Sequence, residues 1–520
     1  MKEKIFSLGN ATILILFYLL FGVTYISAIL SDNFTIGDNL KRGTTTTLGL
    51  LVFLSIILLF ISLVYFLPKV KKAVVFVFKQ HKNITSIALF ALLVLLQFLF
   101  VTVFHPKIGW DPSALINTLD HVDDDVNNRA YFSLNSNNLP ILLFMSFLSN
   151  VFQLKTWLFF DYLTIVMVDL SIIFSVATSY MIDRRYFAVS LYIHILVFGV
   201  FPWIVIPYTD TWVLPFVSAF LFFYFSAKKV SKLWQKNILM TLFALLVCGT
   251  YFIKPSAIIP AIAIGLIEAL SLFKEKRVLL PEVLKKTSTV LIVMFSFICL
   301  YTITQNKIEH QTLIHVNRER AIPAVHFMNM GISGDGGYNA QDTLKMGELA
   351  TKSEKIEYSK QMYVKRLKKL GVVGYFHFII LKQINNTADG SFAWGKEGHF
   401  IQGDQIPNSH GLKGVLENYL YIYGKNVANF RFIAQFIWLI ILSCIFFGWH
   451  NKSQTTQTIR LGITGAFLFL LLFEGGRSRY IIQFLPLFLL GSSLLINDSK
   501  QIIKEITDAT LLKRTNYESK

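Results

Sequence analysis

The chain reads as an all-α polytopic membrane protein. Three observations carry that reading: a composition too apolar for a soluble fold, apolar runs of membrane-crossing length, and basic residues gathered in the short loops between them. Of its 520 residues 54% are hydrophobic and only 15% charged, against about 25% charged in a typical soluble domain. Runs such as Phe6–Leu30, Leu48–Leu67 and Ile84–Phe104 are close to the ~20 residues that cross a bilayer as helix.

The first run follows Met1, Lys2, Glu3 and Lys4. It is long and lacks a small-residue cleavage site, so it is expected to be a retained helix and not a signal peptide. The formal charge of +18 does not point to nucleic acid, because the basic residues sit in inter-helix loops, where they orient the chain and meet anionic lipid. Cys248, Cys299 and Cys444 all fall inside apolar runs and read as small buried hydrophobes, with no disulfide framework.

Loop charge sets the topology. Lys69, Lys71, Lys72, Lys79 and Lys82 occupy one loop without an acid, which places it and the N-terminus in the cytoplasm. Arg184/Arg185, Lys228/Lys229/Lys232/Lys236, Lys274/Lys276/Arg277/Lys285/Lys286 and Lys452/Arg460 are then also inside. The alternation holds if Leu139–Phe152, short for a span, lies along the outer interface. This gives about 12 transmembrane helices, 13 if 139–152 spans: 6–30, 48–67, 84–104, 157–182, 187–206, 211–227, 238–253, 256–273, 287–305, 430–449, 457–473 and 480–496. Four segments face outside: 105–156, the turn at Tyr208, Thr209 and Asp210, the stretch 306–429, and the turn 474–479. The expected divisions are two extra helices (1–83), a transmembrane core with outer loop 105–156 (84–305), a small extracytoplasmic domain (306–429), and C-terminal helices with a cytoplasmic tail (430–520). Within the third, 355–370 has an amphipathic helical pattern and Gly331–Gly337 marks turns.

Chemistry is sought at the outer boundary. Asp111, Asp120 and Asp123–Asp125 follow a span directly. A carboxylate near a low-dielectric boundary is costly unless paired, hydrated or bound to a cation. Asp123–Asp125 also reads as a solvated charge run. Asp111, after Gly109-Trp110 and before Pro112, opens a short helix, where capping is the plain alternative. Asp210 lies in a turn between two apolar runs, again with a capping alternative. The two acids together suit a divalent cation such as magnesium or manganese beside a phosphate, or a division of base and metal roles. Lys254, Arg477 and Arg479 are outward cations against the orientation rule; phosphate oxygens are natural partners for them, and snorkelling to headgroups is the alternative.

The motifs GWDP at 109–112, YFSLNSNNLP at 131–140, PYTDT at 207–211 and RSRY at 477–480, in this order of spans and loops, resemble the GT-C superfamily of integral membrane glycosyltransferases. The closest branch is the bacterial one similar to protein O-mannosyltransferases and lipid A aminoarabinose transferases. The resemblance implies a polyprenyl-phosphate sugar donor, an envelope glycopolymer such as a teichoic acid-like polymer as acceptor, and an active site on the extracytoplasmic face of a bacterial cytoplasmic membrane. It maps the first-loop catalytic acid onto Asp111 and the second outer acid onto Asp210. Asn137, Asn138 and Tyr208 are then placed to meet sugar or acceptor, although asparagine before Leu-Pro is equally a helix-start signal. The chain departs from the family where Pro112, not a second acid, follows Asp111, and where two spans precede the core. The competing expectation is a polysaccharide repeat-unit polymerase, which depends less on Asp111, or a lipid-linked sugar transporter, which needs charges deep in several spans; Asp161 and Asp169 are clear acids within one and the same span.

Overall fold

The structure, a computed structural model, describes residues 2–120, 126–274, 280–392 and 405–518. Asp123–Asp125, Lys276 and Arg277 lie outside the described residues. The helices are α1 (Lys2–Ile29), α2 (Leu48–Phe66), α3 (Pro68–Val75), α4 (Lys82–Val103), α5 (Trp110–Asp120), α6 (Val126–Leu134), α7 (Leu139–Phe152), α8 (Trp157–Ile182), α9 (Phe187–Phe198), α10 (Thr209–Trp212) and α11 (Leu214–Ala227). They continue as α12 (Leu233–Ile253), α13 (Ile259–Ser271), α14 (Leu280–Glu309), α15 (Ala324–Met330), α16 (Ala340–Glu348), α17 (Lys352–Thr387), α18 (Gly411–Leu420), α19 (Val427–Phe446), α20 (Gln454–Leu472) and α21 (Leu485–Glu518). The one sheet among the described residues is a two-stranded antiparallel hairpin, Asp38–Asn39 with Thr44–Thr45.

Ten helices among the described residues are long and apolar enough to cross a membrane, so the expected twelve are corrected to ten. Both losses have a backbone cause. In the expected span 187–206, α9 has only 12 residues; Gly199 follows it, and Pro202, which lacks an N–H, opens a 3-10 turn. In the expected span 256–273, Pro255 opens another 3-10 turn and leaves α13 with 13 residues. The broken segment still links both ends of the bundle: Tyr192 donates to the Lys82 carbonyl at the start of α4, and Tyr208 reaches Asp111 beyond its end. At 14 residues, α7 is short of a span.

Packing is close where side chains are small, because helices gain no hydrophobic drive from each other inside lipid. Ser218 of α11 meets Ser171 at 2.7 Å and Ser175 at 3.2 Å on α8. The first helix is a member of this bundle, not an appendage: Phe17 and Phe21 are fully buried, and Gln457 of α20 donates to the Asn10 carbonyl. By contrast α2 buries only Leu50 and stands at the periphery. Cys299 is exposed on α14, against the expectation of burial.

The bundle has two chemically distinct ends. One gathers residues assigned to the inside: Lys229 donates to the Ile182 carbonyl, Lys228 pairs with Glu268, and Arg460 donates to the carbonyls of Gly448 and Asn451. The other gathers the segments expected outside, and adds the loop 31–47, which was not among them, where Asn33 donates to Asp389 and Gln435. Here α17 extends well past the expected 355–370. It continues through a kink at Gly371, whose φ of 62° and ψ of −177° suit a residue without a Cβ.

Candidate functional site

The first-loop motif folds into a constrained turn. Trp110 has a φ of 58°, a left-handed conformation rare for a bulky residue and costing about 1–3 kcal/mol. It stands at the first position of α5, and Pro112 follows two residues later. Asp111, held between them, lies in the first turn, where its charge suits the positive end of the helix. Among the described residues it does not cap that helix. Tyr131 donates to Oδ1 at 2.6 Å and Tyr208 donates to Oδ2 at 2.9 Å.

Asn138 closes the ring. Its amide donates to Tyr131 at 2.6 Å and lies 3.3 Å from the Tyr208 hydroxyl. Asn137 is exposed and donates to Asn138 Oδ1 at 3.3 Å. The loop therefore brings Asp111 and Asn138 to Tyr208, from the turn that follows the broken segment. Tyr131 was not singled out in the sequence: it sits in the quoted motif, but an uncharged phenol in a polar stretch carries no patterning signal.

Burial, first, and the Asp111 charge, second, hold the Tyr131 hydroxyl well above the ordinary phenol range. The same two causes act on Tyr208, joined by Asp210, while the Arg479 charge pulls the other way. Both phenols are therefore neutral donors at ordinary pH, and Asp111, Asp210 and Arg479 all act on Tyr208.

Asp210 is almost wholly buried, and Lys254 pairs with its Oδ1. The lysine emerges where α12 ends, also lies 3.4 Å from Thr209 Oγ1, and sits 5.7 Å from the centre of the Tyr480 ring. Arg479 packs on the same ring at 4.9 Å, and Tyr480 donates to Glu474 at 2.8 Å. One aromatic ring thus supports two cations beside the acids. Arg477 is placed differently: its Nε lies near Gly337, in the turn that docks on the arginine segment.

That segment is tightly mounted. Gly475 N donates to the Gly336 carbonyl at 2.9 Å, and Gly476 N donates to Asn386 Oδ1 at 2.6 Å. The fully buried Lys382 ammonium donates to the carbonyls of Gly331, Leu471 and Phe473.

Among the described residues no three His, Cys, Asp or Glu side chains converge. Asp111 holds two phenols and Asp210 holds an ammonium, while Asp210 Oδ2 is buried without a partner among the described residues. A divalent cation needs several oxygen ligands, and the lysine competes for the carboxylate that supplies one. This donor set fits a bound ammonium better than a metal.

A family model described as a conserved hypothetical integral membrane protein matches residues 5–500. No curated protein and no solved structure matches the chain.

Proposed function

The chain belongs to this family of conserved hypothetical integral membrane proteins, and from that premise we propose that it is a membrane glycosyltransferase using a polyprenyl-phosphate sugar. It works at the extracytoplasmic face of a bacterial cytoplasmic membrane. The acceptor is a cell-envelope polysaccharide, a teichoic acid-like polymer or another outer-face glycopolymer. The observation that carries the reading is the joining, through Tyr208, of the Asp111 carboxylate to a patch holding Lys254 and Arg479. An acid that accepts a proton and cations that receive a phosphate are the two needs of this transfer.

The acceptor hydroxyl oxygen attacks the anomeric carbon, the bond from that carbon to the phosphate oxygen breaks, and the hydroxyl proton passes to Asp111. A carboxylate offers about four acceptor positions, so the two phenols leave room for the attacking hydroxyl. The bond electrons leave with the lipid phosphate, whose added charge meets Lys254 and Arg479. Lysine has three donors; Asp210 and Thr209 engage two, and one is left for the phosphate. Asp210 holds that lysine in place. A single displacement inverts the anomeric configuration, and no step runs through a metal. Asn138 meets the two phenols that hold the acid, and the exposed Asn137 next to it is suited to sugar hydroxyls.

The test is transfer by the purified chain in lipid, supplied with a polyprenyl-phosphate sugar and a glycopolymer acceptor. Asp111→Asn keeps the size of the side chain and loses the base; turnover is expected to fall about 10²–10⁴-fold with insertion unchanged. Arg479→Ala is expected to cost about 1.5–3 kcal/mol in donor use, while Lys232→Ala, at the opposite end, changes nothing. Near-normal turnover by Asp111→Asn overturns the reading and favours a polymerase or a transporter.

A further inference from the structure

Helix α17 presents an inverted pattern after its kink. Phe378, Lys382 and Asn386, spaced by four residues along one side, are buried. On the other side Val373 is 84% exposed and Phe376 66% exposed, with Ile380 following at helical spacing. Thus the side of this half-helix that carries Lys382, Gln383 and Asn386 is sealed in protein, while the exposed side is mostly apolar, with His377 and Asn385 as its polar residues, the reverse of a helix on a soluble domain.

The sealed side fixes its depth. Lys382 donates to the Leu471 carbonyl and Asn386 to the Leu470 carbonyl, in the last turn of α20. Gln383 donates to Thr24, in the last two turns of α1. At about 1.5 Å per residue, these anchors sit within about 8 Å of the ends of two apolar helices of membrane-crossing length. An apolar face carried at that level meets the boundary between acyl chains and headgroups, where amphipathic helices insert to about 5–10 Å. Just before the kink, Lys365, Lys368 and Lys369 are exposed. Arg366 instead turns inward to Asp342.

We infer that residues 372–387 form an interfacial anchor seated in the bilayer surface on the side of the candidate site, with Lys365, Lys368 and Lys369 contacting anionic headgroups. The same half-helix carries Lys382 and Asn386, which hold the arginine segment, so the anchor fixes that segment relative to the lipid surface. The inference is independent of the chemistry proposed above and names a partner, anionic lipid, for a face that the site does not use. Lipid is favoured over a soluble polyanion because the apolar residues adjoin the lysines and lie level with the helix ends.

The test uses the full chain with Cys248, Cys299 and Cys444 replaced by alanine and an environment-sensitive fluorophore at Val373→Cys. It is reconstituted in vesicles of zwitterionic lipid alone or mixed with phosphatidylglycerol. The expected result is blue-shifted emission in both, quenched by a nitroxide on a shallow lipid position and protected from aqueous iodide. A label at Lys360→Cys, exposed before the kink, is the water-accessible control. Phosphatidylglycerol should deepen the shift, and the combined Lys365→Gln, Lys368→Gln and Lys369→Gln variant should lose that increment. Free iodide quenching at Val373→Cys overturns the proposal. So does a blue shift that appears only with added poly(glycerol phosphate), which assigns the face to a glycopolymer, or disulfide-linked dimers of the unlabelled Val373→Cys chain together with no lipid quenching of the labelled one, which assign it to a second copy.

Discussion

Tyr208 donates its phenolic hydrogen to Asp111 at 2.9 Å, across 97 positions of sequence. The bond links an acid that follows α4 to the turn that opens α10, so it ties the segment 105–156 to the turn at 208–210. Tyr131 makes the matching bond to the other oxygen at 2.6 Å. The carboxylate is thereby held from both sides, and its orientation depends on two phenols that burial keeps protonated.

Replacing Tyr131 or Tyr208 by phenylalanine should therefore weaken transfer and stability together. Each change removes a hydrogen bond to a charged group, worth about 1.5–3 kcal/mol. Turnover is expected to fall about 10- to 100-fold for either variant, and further for the pair. Turnover in lipid and thermal unfolding on the same samples check this. Full activity in the double variant would mean that Asp111 needs no orientation by phenols.

The parts of this site were unequally legible in the sequence. Asp111, Asp210, Lys254 and Arg479 stood out because charge beside long apolar runs is expensive, and the fold places all four around Tyr208 and Tyr480. Tyr131 bore no such mark, because its role arises only when α6 folds back on α5. The two missing spans failed for a related reason: hydropathy counts apolar residues, whereas Gly199, Pro202 and Pro255 decide whether those residues form one helix. Conversely Gly371, a natural stop, became a kink, because the polar residues beyond it found partners on α1 and α20.

His326 predicts a pH dependence confined to the segment between α14 and α19. The residue is 1% exposed, and burial lowers its pKa to about 4, with Arg366 and Lys355 acting in the same direction and Asp342 against them. The unfolded chain takes up the proton near pH 6.5, so it binds protons that the folded state refuses. Stability contributed by neutral His326 is present above that value and declines as pH falls toward 4, by about 3 kcal/mol over the window. Amide exchange protection across 324–348, referred to the intrinsic exchange rate at each pH, should fall over this range in the wild type. His326→Gln should flatten the dependence; an unchanged profile would assign it to other groups.

The Lys254–Asp210 pair separates a structural from a chemical role. Asp210 is 1% exposed, so Lys254→Met leaves a buried carboxylate uncompensated near Asp111 and should destabilise by about 3–5 kcal/mol. Asp210→Asn leaves the ammonium without its counter-charge and should also destabilise, less severely because the lysine reaches the boundary. Replacing both by the neutral residues removes the imbalance, since a buried ion pair often contributes little net stability. The double variant should therefore unfold near the wild-type temperature in lipid. Its turnover should stay low, because the leaving phosphate has lost the ammonium that receives its charge. Recovery of turnover along with stability would make the pair a structural element alone and leave Arg479 as the cation for the phosphate.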